Sequence, residues 1–146
     1  MRLGRRGFSL IEVMMAIVIM VIMAGLAAYK FTTALPHQRV NQAASALSSD
    51  LQYAQLMAVK QRKPVTVTVD TAAKSYTIAD RATGTVFKTV KLGSTSEFQL
   101  DQLTQTAQVI VFPNGTTSAS STTFTLGSKG YTRWVTISLA GMIRVP

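Results

Sequence analysis

The chain changes its hydrophobic period twice, and each change marks a different kind of element. From Phe8 to Ala28 there are 21 residues with a single charge, Glu12. As a helix rising ~1.5 Å per residue, that run spans roughly 31 Å, about one hydrocarbon core. Further on, Val40, Ala43, Ala44, Leu47, Leu51, Ala54 and Ala58 recur at three- and four-residue steps. This is the apolar stripe of an amphipathic helix, and Gln42, Ser45, Ser48, Ser49, Asp50, Gln52 and Gln55 are expected on its polar face. Pro36 lies between the two segments. It lacks an amide donor and crowds the carbonyl of Thr32, which predicts a kink or short break near residues 32–36. Pro64 ends the helical pattern, and Lys60, Arg62 and Lys63 fall in the last turn, where cations complement the helix dipole.

Beyond Pro64 the period becomes two. Val65, Val67 and Val69 alternate with Thr66, Thr68 and Asp70, as in a half-buried strand. Further strands are expected at Ser75–Ala79, Thr85–Leu92, Glu97–Leu100, Gln108–Phe112, Thr122–Leu126 and Thr132–Leu139, several of them separated by turn signals such as Thr83-Gly84 and Pro113-Asn114-Gly115. Short strands with short connections imply antiparallel sheet, and the stripe on residues 40–58 is its natural cover. Thr116–Thr123, nearly all Ser and Thr, reads as an exposed loop. The fold class is therefore α+β: one long N-terminal helix whose second half packs on an antiparallel head.

Composition refines this in two ways. Hydrophobic residues reach 47% and charged ones only 14%, against roughly 25% charged in an ordinary globular domain. Much of that apolar excess sits in the N-terminal run. The charges are lopsided, at 15 Lys+Arg against 6 Asp+Glu, for a net +9. With no cysteine and one histidine, His37, there is no material for a disulfide framework, a thiolate metal site or Ser-His catalysis. His37 reads as an interfacial polar residue. Asp70, Asp80, Glu97 and Asp101 show neither metal-ligand spacing nor a paired-carboxylate pattern, and no Gly-rich phosphate loop is present. No enzyme activity, metal or cofactor is expected.

Arg2, Arg5 and Arg6 precede the apolar run and only Lys30 closely follows it. The positive-inside rule then puts the N-terminus in the cytoplasm and everything after residue 30 across the membrane. A secretory signal peptide fits poorly, because its apolar region is ~7–15 residues long and is followed by small residues, not Tyr29-Lys30-Phe31. Glu12 costs ~2.5 kcal/mol or more if carried to the centre of a bilayer, less near the interface, so it asks for a partner. Arg5 and Arg6 are the nearest cations in the sequence.

Gly7-Phe8-Ser9-Leu10-Ile11-Glu12, after a short basic leader and before an apolar helix, resembles the processing motif of type IV prepilins and type II secretion pseudopilins. The resemblance implies that a prepilin peptidase cuts between Gly7 and Phe8 and methylates the new N-terminus at Phe8. It also implies that Glu12 attracts the N-terminal amine of a neighbouring subunit during assembly. The chain then divides into a cleaved leader (1–7), a membrane-spanning and filament-core helix (8–30), an amphipathic continuation (31–63) and a β-rich head (64–146). The resemblance places the protein in the bacterial inner membrane with a periplasmic head, and in a pilus or pseudopilus after assembly. Its partners would be the peptidase, other pilins or pseudopilins and the membrane.

Looser features point to one subgroup, the GspH/FimT-type minor pilins and pseudopilins. They are Arg39-Val40, Leu51-Gln52-Tyr53-Ala54-Gln55, Ala58-Val59-Lys60, Pro64-Val65-Thr66-Val67, Phe112-Pro113-Asn114-Gly115 and Val135-Thr136-Ile137-Ser138-Leu139-Ala140-Gly141, in that order. Some members of this subgroup bind DNA through a C-terminal Gly-Arg-x-Arg stretch. Here the positions read Gly141-Met142-Ile143-Arg144, so only the second Arg is kept. Lys129, Arg133, Trp134 and Arg144 are the candidates for a DNA-binding patch, the alternative being a solvated basic face with Trp134 packed near the sheet edge. Three function classes remain open: a filament subunit, a DNA-binding subunit in DNA uptake, and a single-pass membrane protein that joins no filament.

Overall fold

In the computed structural model, the described residues are 9–118 and 120–146, of which 27–33 are described by their backbone alone. The chain divides into two compact units, Met1–Leu35 and Pro36–Pro146. Helix α1 runs Leu10–Gln61 with Pro36 inside it, so the expected break near residues 32–36 does not occur. Proline inside a helix costs ~3 kcal/mol. Immediately after it, the stripe residues Val40, Leu47 and Leu51 are fully buried, and each such side chain contributes about 1.5–3 kcal/mol. The packing of the following turns therefore outweighs the single lost hydrogen bond.

The helix ends where the sequence places its end. The amide of Lys63 donates to the Ala58 carbonyl at 3.3 Å and that of Arg62 to the Val59 carbonyl at 3.2 Å. This is a Schellman closure, and Arg62 takes its left-handed position (φ 53°), which glycine usually fills.

Eight strands follow: β1 (Val65–Asp70), β2 (Ser75–Asp80), β3 (Val86–Lys91), β4 (Gln102–Gln105), β5 (Val109–Val111), β6 (Ser121–Ser128), β7 (Tyr131–Ser138) and β8 (Ile143–Arg144). They form two antiparallel sheets, ordered β3-β2-β1-β5 and β4-β6-β7-β8. The hairpin β6–β7 closes on Lys129-Gly130, both at positive φ (48° and 84°), as a two-residue turn of the primed type requires. Val65 and Val67 of the first sheet and Phe124, Leu126, Val135 and Ile137 of the second join the helix stripe in one core.

Four expectations need correction. No strand forms at Glu97–Leu100: Gln99 has a left-handed backbone (φ 47°), and pairing starts instead at β4, opposite β6. Strand β8 was not expected, because two residues are too short to show a period. The Thr116–Thr123 stretch is not simply an exposed loop. Thr117 is buried and bridges to Val111, while Ser121–Thr123 open β6 with Thr122 fully buried. Finally, Asp50 is buried rather than on the polar face.

Candidate assembly and binding surfaces

The first turn of α1 begins at Ser9, whose carbonyl accepts the amides of Glu12 (3.0 Å) and Val13 (3.2 Å). Glu12 sits in that turn, where the positive end of the helix dipole favours a carboxylate. Its side chain is exposed and has no hydrogen-bond or ion-pair partner among the described residues. From Leu10 to Leu26 the large apolar side chains are exposed all round the helix, including Leu10, Met14, Val18, Met20 and Ile22. A helix apolar on every side needs an apolar environment, because no single face can be turned to water. Among the described residues no helix is long and apolar enough to cross a membrane. Gly7, Phe8 and the leader 1–7 lie outside the described residues.

In the second unit, Asp50 ties the helix to the first sheet. One carboxylate oxygen accepts the Tyr76 hydroxyl at 2.7 Å and the other accepts Lys88 Nζ at 2.5 Å. Burial, together with the Asp50 carboxylate beside it, pushes the Tyr76 phenol well above the usual tyrosine range. The sequence did carry a signal for this. Asp50 lies three residues after Leu47 and four before Ala54, so it falls on the edge of the stripe.

A second tie gathers three stretches noted for their resemblance. Gln55 Nε2 donates to the Gly141 carbonyl at 2.6 Å. Gly141 has φ +77°, and a Cβ there would press into the Gly115 carbonyl oxygen and come to 2.9 Å from Gln55 Nε2. The Gln55 turn of the helix, the Asn114-Gly115 turn and the Ala140-Gly141 turn thus meet at one joint. The Gly141 amide, bonded to the Ser138 carbonyl at 2.8 Å, closes the turn between β7 and β8.

The four candidate DNA-binding residues do not converge. Along β7, Tyr131, Arg133, Val135 and Ile137 face the helix, and Thr132, Trp134, Thr136 and Ser138 face outward. Arg133 turns toward α1, where its Nη1 donates to Asn41 Oδ1 at 3.2 Å, beside Tyr131, whose hydroxyl donates to the same oxygen at 3.4 Å. The His37 ring stacks on Tyr131 with centroids 3.9 Å apart, so His37 is a packing residue at the helix–head contact. Lys129 stands at the hairpin tip, its amide bonded to Asp101 Oδ2 at 2.8 Å. Trp134 is 51% exposed and shares the outward face with Arg144, which pairs across the ladder with Thr136. Only these two of the four are on one face.

At the end of α1, the basic cluster has one acidic neighbour. Asp80 Oδ1 accepts the amides of Ala82 (2.7 Å) and Thr83 (3.1 Å), and Lys63 Nζ stands 3.9 Å from Oδ2. The turn amides of Thr83 and Ala82 hold the Asp80 carboxyl below its ordinary value, with Lys63 adding to them and burial opposing. A lowered carboxyl stabilises the fold above the unfolded-state pKa and loses that contribution as pH falls through the folded one. Asp80→Asn keeps the Oδ1 acceptor but cannot titrate. Its melting temperature should therefore fall less steeply than the wild type's below about pH 4; parallel pH profiles would contradict this.

Among the described residues no group of histidine and acidic side chains could hold a metal ion. What the fold and these surfaces define is a pilin-type subunit: a helix apolar on all sides at its start, then an antiparallel head packed on its continuation. Residues 43–141 match the family described as Type II transport protein GspH, and residues 2–28 match the prokaryotic N-terminal methylation motif. The chain belongs to the GspH family, whose members are structural minor pilins and pseudopilins.

Among solved structures, it is similar to the type IV minor pilin FimU of Pseudomonas aeruginosa at 24% identity, with a TM-score of 0.62 over 75% of this chain and 90% of that one. A second crystal form of FimU gives a TM-score of 0.58 over 73% and 91%. The minor pseudopilin EpsH of the Vibrio cholerae type 2 secretion system is 17% identical, with a TM-score of 0.60 over 74% and 96%. These likenesses establish the fold. No curated protein gives a significant match.

Proposed function

We propose that this chain is a minor subunit of a type IV pilus or type II secretion pseudopilus. It is cut between Gly7 and Phe8 by a prepilin peptidase, methylated at Phe8 and held in the inner membrane with its head in the periplasm. It is then drawn into the filament by Glu12. The observation that supports this reading is the start of α1, where a carboxylate without a partner among the described residues stands in an exposed helix that is apolar on every side.

In a bilayer such a helix is satisfied by lipid, and in a filament by neighbouring helices. The carboxylate is satisfied only in the second case, by a cation from another subunit. In a low-dielectric site that attraction is several times stronger than in water. The membrane thus serves as a reservoir, and charge pairing favours leaving it. Methylation leaves the new amine at Phe8 able to carry its positive charge, so the cation that Glu12 needs is made by the same processing step.

The head contributes rigidity. Its core closes without cysteine, and the helix is tied to it at Asp50, Gln55 and Asn41, so a force along α1 reaches both sheets. Tagged at its C-terminus and expressed in a host that assembles such filaments, the chain is expected in the sheared filament fraction with the other subunits. Its confinement to the membrane fraction in a host with intact filaments would refute the proposal.

A further inference from the structure

The outward face of the second sheet is built from an unusual set of side chains. Thr123 and Thr125 of β6 and Thr132, Trp134, Thr136 and Ser138 of β7 point away from the core, and Arg144 of β8 stands opposite Thr136. None of these outward strand residues is acidic or lysine, and Arg144 is the one charge among them. At the β8 end, Ser121, Thr136, Ser138, Met142 and Arg144 line a recess of about 340 Å³. Arg144 Nε is directed at Met142 Sδ, 3.4 Å away, and its two terminal nitrogens have no partner among the described residues, so they can take a ligand. The Ser138 oxygen accepts the Met142 amide at 3.2 Å, and among the described residues its proton has no acceptor. Trp134 lies two residues along β7 from Thr136, a diagonal neighbour of Arg144 about 7–8 Å away.

We infer that this face binds an acidic glycan, with a sugar ring lying on the Trp134 indole and a carboxylate of a neighbouring unit in the recess at Arg144. Three features select this ligand class. An indole offers a flat apolar surface with one polar edge, which suits the face of a pyranose and is wasted when left in water. The hydroxyls of Thr136, Ser138 and Ser121 both donate and accept, as sugar hydroxyls require. A guanidinium engages a carboxylate in a paired, planar fashion.

A nucleic acid strand fits less well. Its affinity comes from many phosphate contacts, yet this face carries one cation, with Arg133 turned to the helix and Lys129 at the hairpin tip. The inference concerns the head and does not depend on filament assembly.

Trp134 is the sole tryptophan of the chain, so its fluorescence reports on the site directly. The test titrates the full chain, in a non-glycosidic detergent, with an oligogalacturonate hexamer, with maltohexaose and with a single-stranded oligodeoxynucleotide. The oligogalacturonate is expected to change the indole emission saturably and to bind at least about tenfold tighter than maltohexaose. Arg144→Gln should remove most of that difference, and Trp134→Ala, followed by calorimetry, should abolish binding. Both positions are exposed, so thermal melts of the two variants should match the wild type and separate lost binding from lost folding. Lys129→Gln should bind as the wild type does. Equal affinity for the neutral sugar, no saturable change, or tighter binding of the oligonucleotide would each overturn the inference.

Discussion

Replacing Glu12 by alanine should reduce recovery of the chain in sheared filaments by about tenfold or more, while membrane retention and cleavage continue. The sign of this effect separates two roles. A lone carboxylate in an apolar helix costs ~2.5 kcal/mol or more at the bilayer centre. If Glu12 were only a burden, alanine would hold the helix in the membrane at least as well and change nothing else. If it pairs with a cation of a neighbouring subunit, removing it leaves that cation unpaired in a dry interface, at ~3–5 kcal/mol for a fully buried pair. Even a third of that is about tenfold in an equilibrium. Glu12→Gln tests charge apart from shape, and should fail nearly as badly as alanine. Filament recovery equal to wild type from both variants would assign Glu12 to the membrane segment and remove it from assembly.

Gly141→Ala should destabilise the head by about 2–5 kcal/mol, read as a lowered melting temperature and denaturant midpoint. Two independent effects add. A non-glycine residue at φ +77° pays ~1–2 kcal/mol for the left-handed conformation. The new methyl would also press on the Gly115 carbonyl oxygen, a backbone atom that cannot swing aside, and such overpacking costs ~1–3 kcal/mol. The damage should be local in cause but wide in effect, because Gln55 of the helix bonds to the same residue. Gly84→Ala is the control: it also has positive φ (+71°) but its Cβ would meet open space. It should therefore cost only the conformational part. Equal losses at the two positions would show that the joint contributes nothing beyond backbone strain.

The sequence was most legible where one physical requirement governs a long stretch. Period 3.6 over residues 40–58 named the buried stripe residue by residue, because a helix lying on a sheet leaves no choice of face. Period two located β1, β2, β3, β6 and β7 to within a residue or two. It failed at Glu97–Leu100, where Leu100 is buried but the left-handed Gln99 stops any strand, and burial alone does not distinguish strand from turn.

The Ser/Thr stretch misled for a related reason. Composition says that Thr117 and Thr122 can be exposed, while only the fold brings strands β5 and β6 around them. Pro36 was read correctly as an unfavourable residue, but the local cost was weighed without the packing of the next turns.

Among the candidate sites, the stretch Gly7–Glu12 was legible as a resemblance because its residues are neighbours in the chain, and it lies within the residues 2–28 that match the N-terminal methylation motif. The placement of Arg133 and Trp134 on opposite faces follows from strand alternation. It became visible only once the register of β7 was known. The ties from Asp50 to Tyr76 and Lys88 and from Gln55 to Gly141 join residues distant in sequence. No local pattern announces their partners, though Asp50 at the stripe edge gave half of the signal.

The proposed function requires that this chain be made as a precursor and matured for assembly. Its most direct test is the intact mass of the full chain after co-expression with a prepilin peptidase. A single species beginning at Phe8 and carrying one added methyl group is expected. A species retaining Met1 through Gly7, in cells whose peptidase processes a known prepilin, would contradict it.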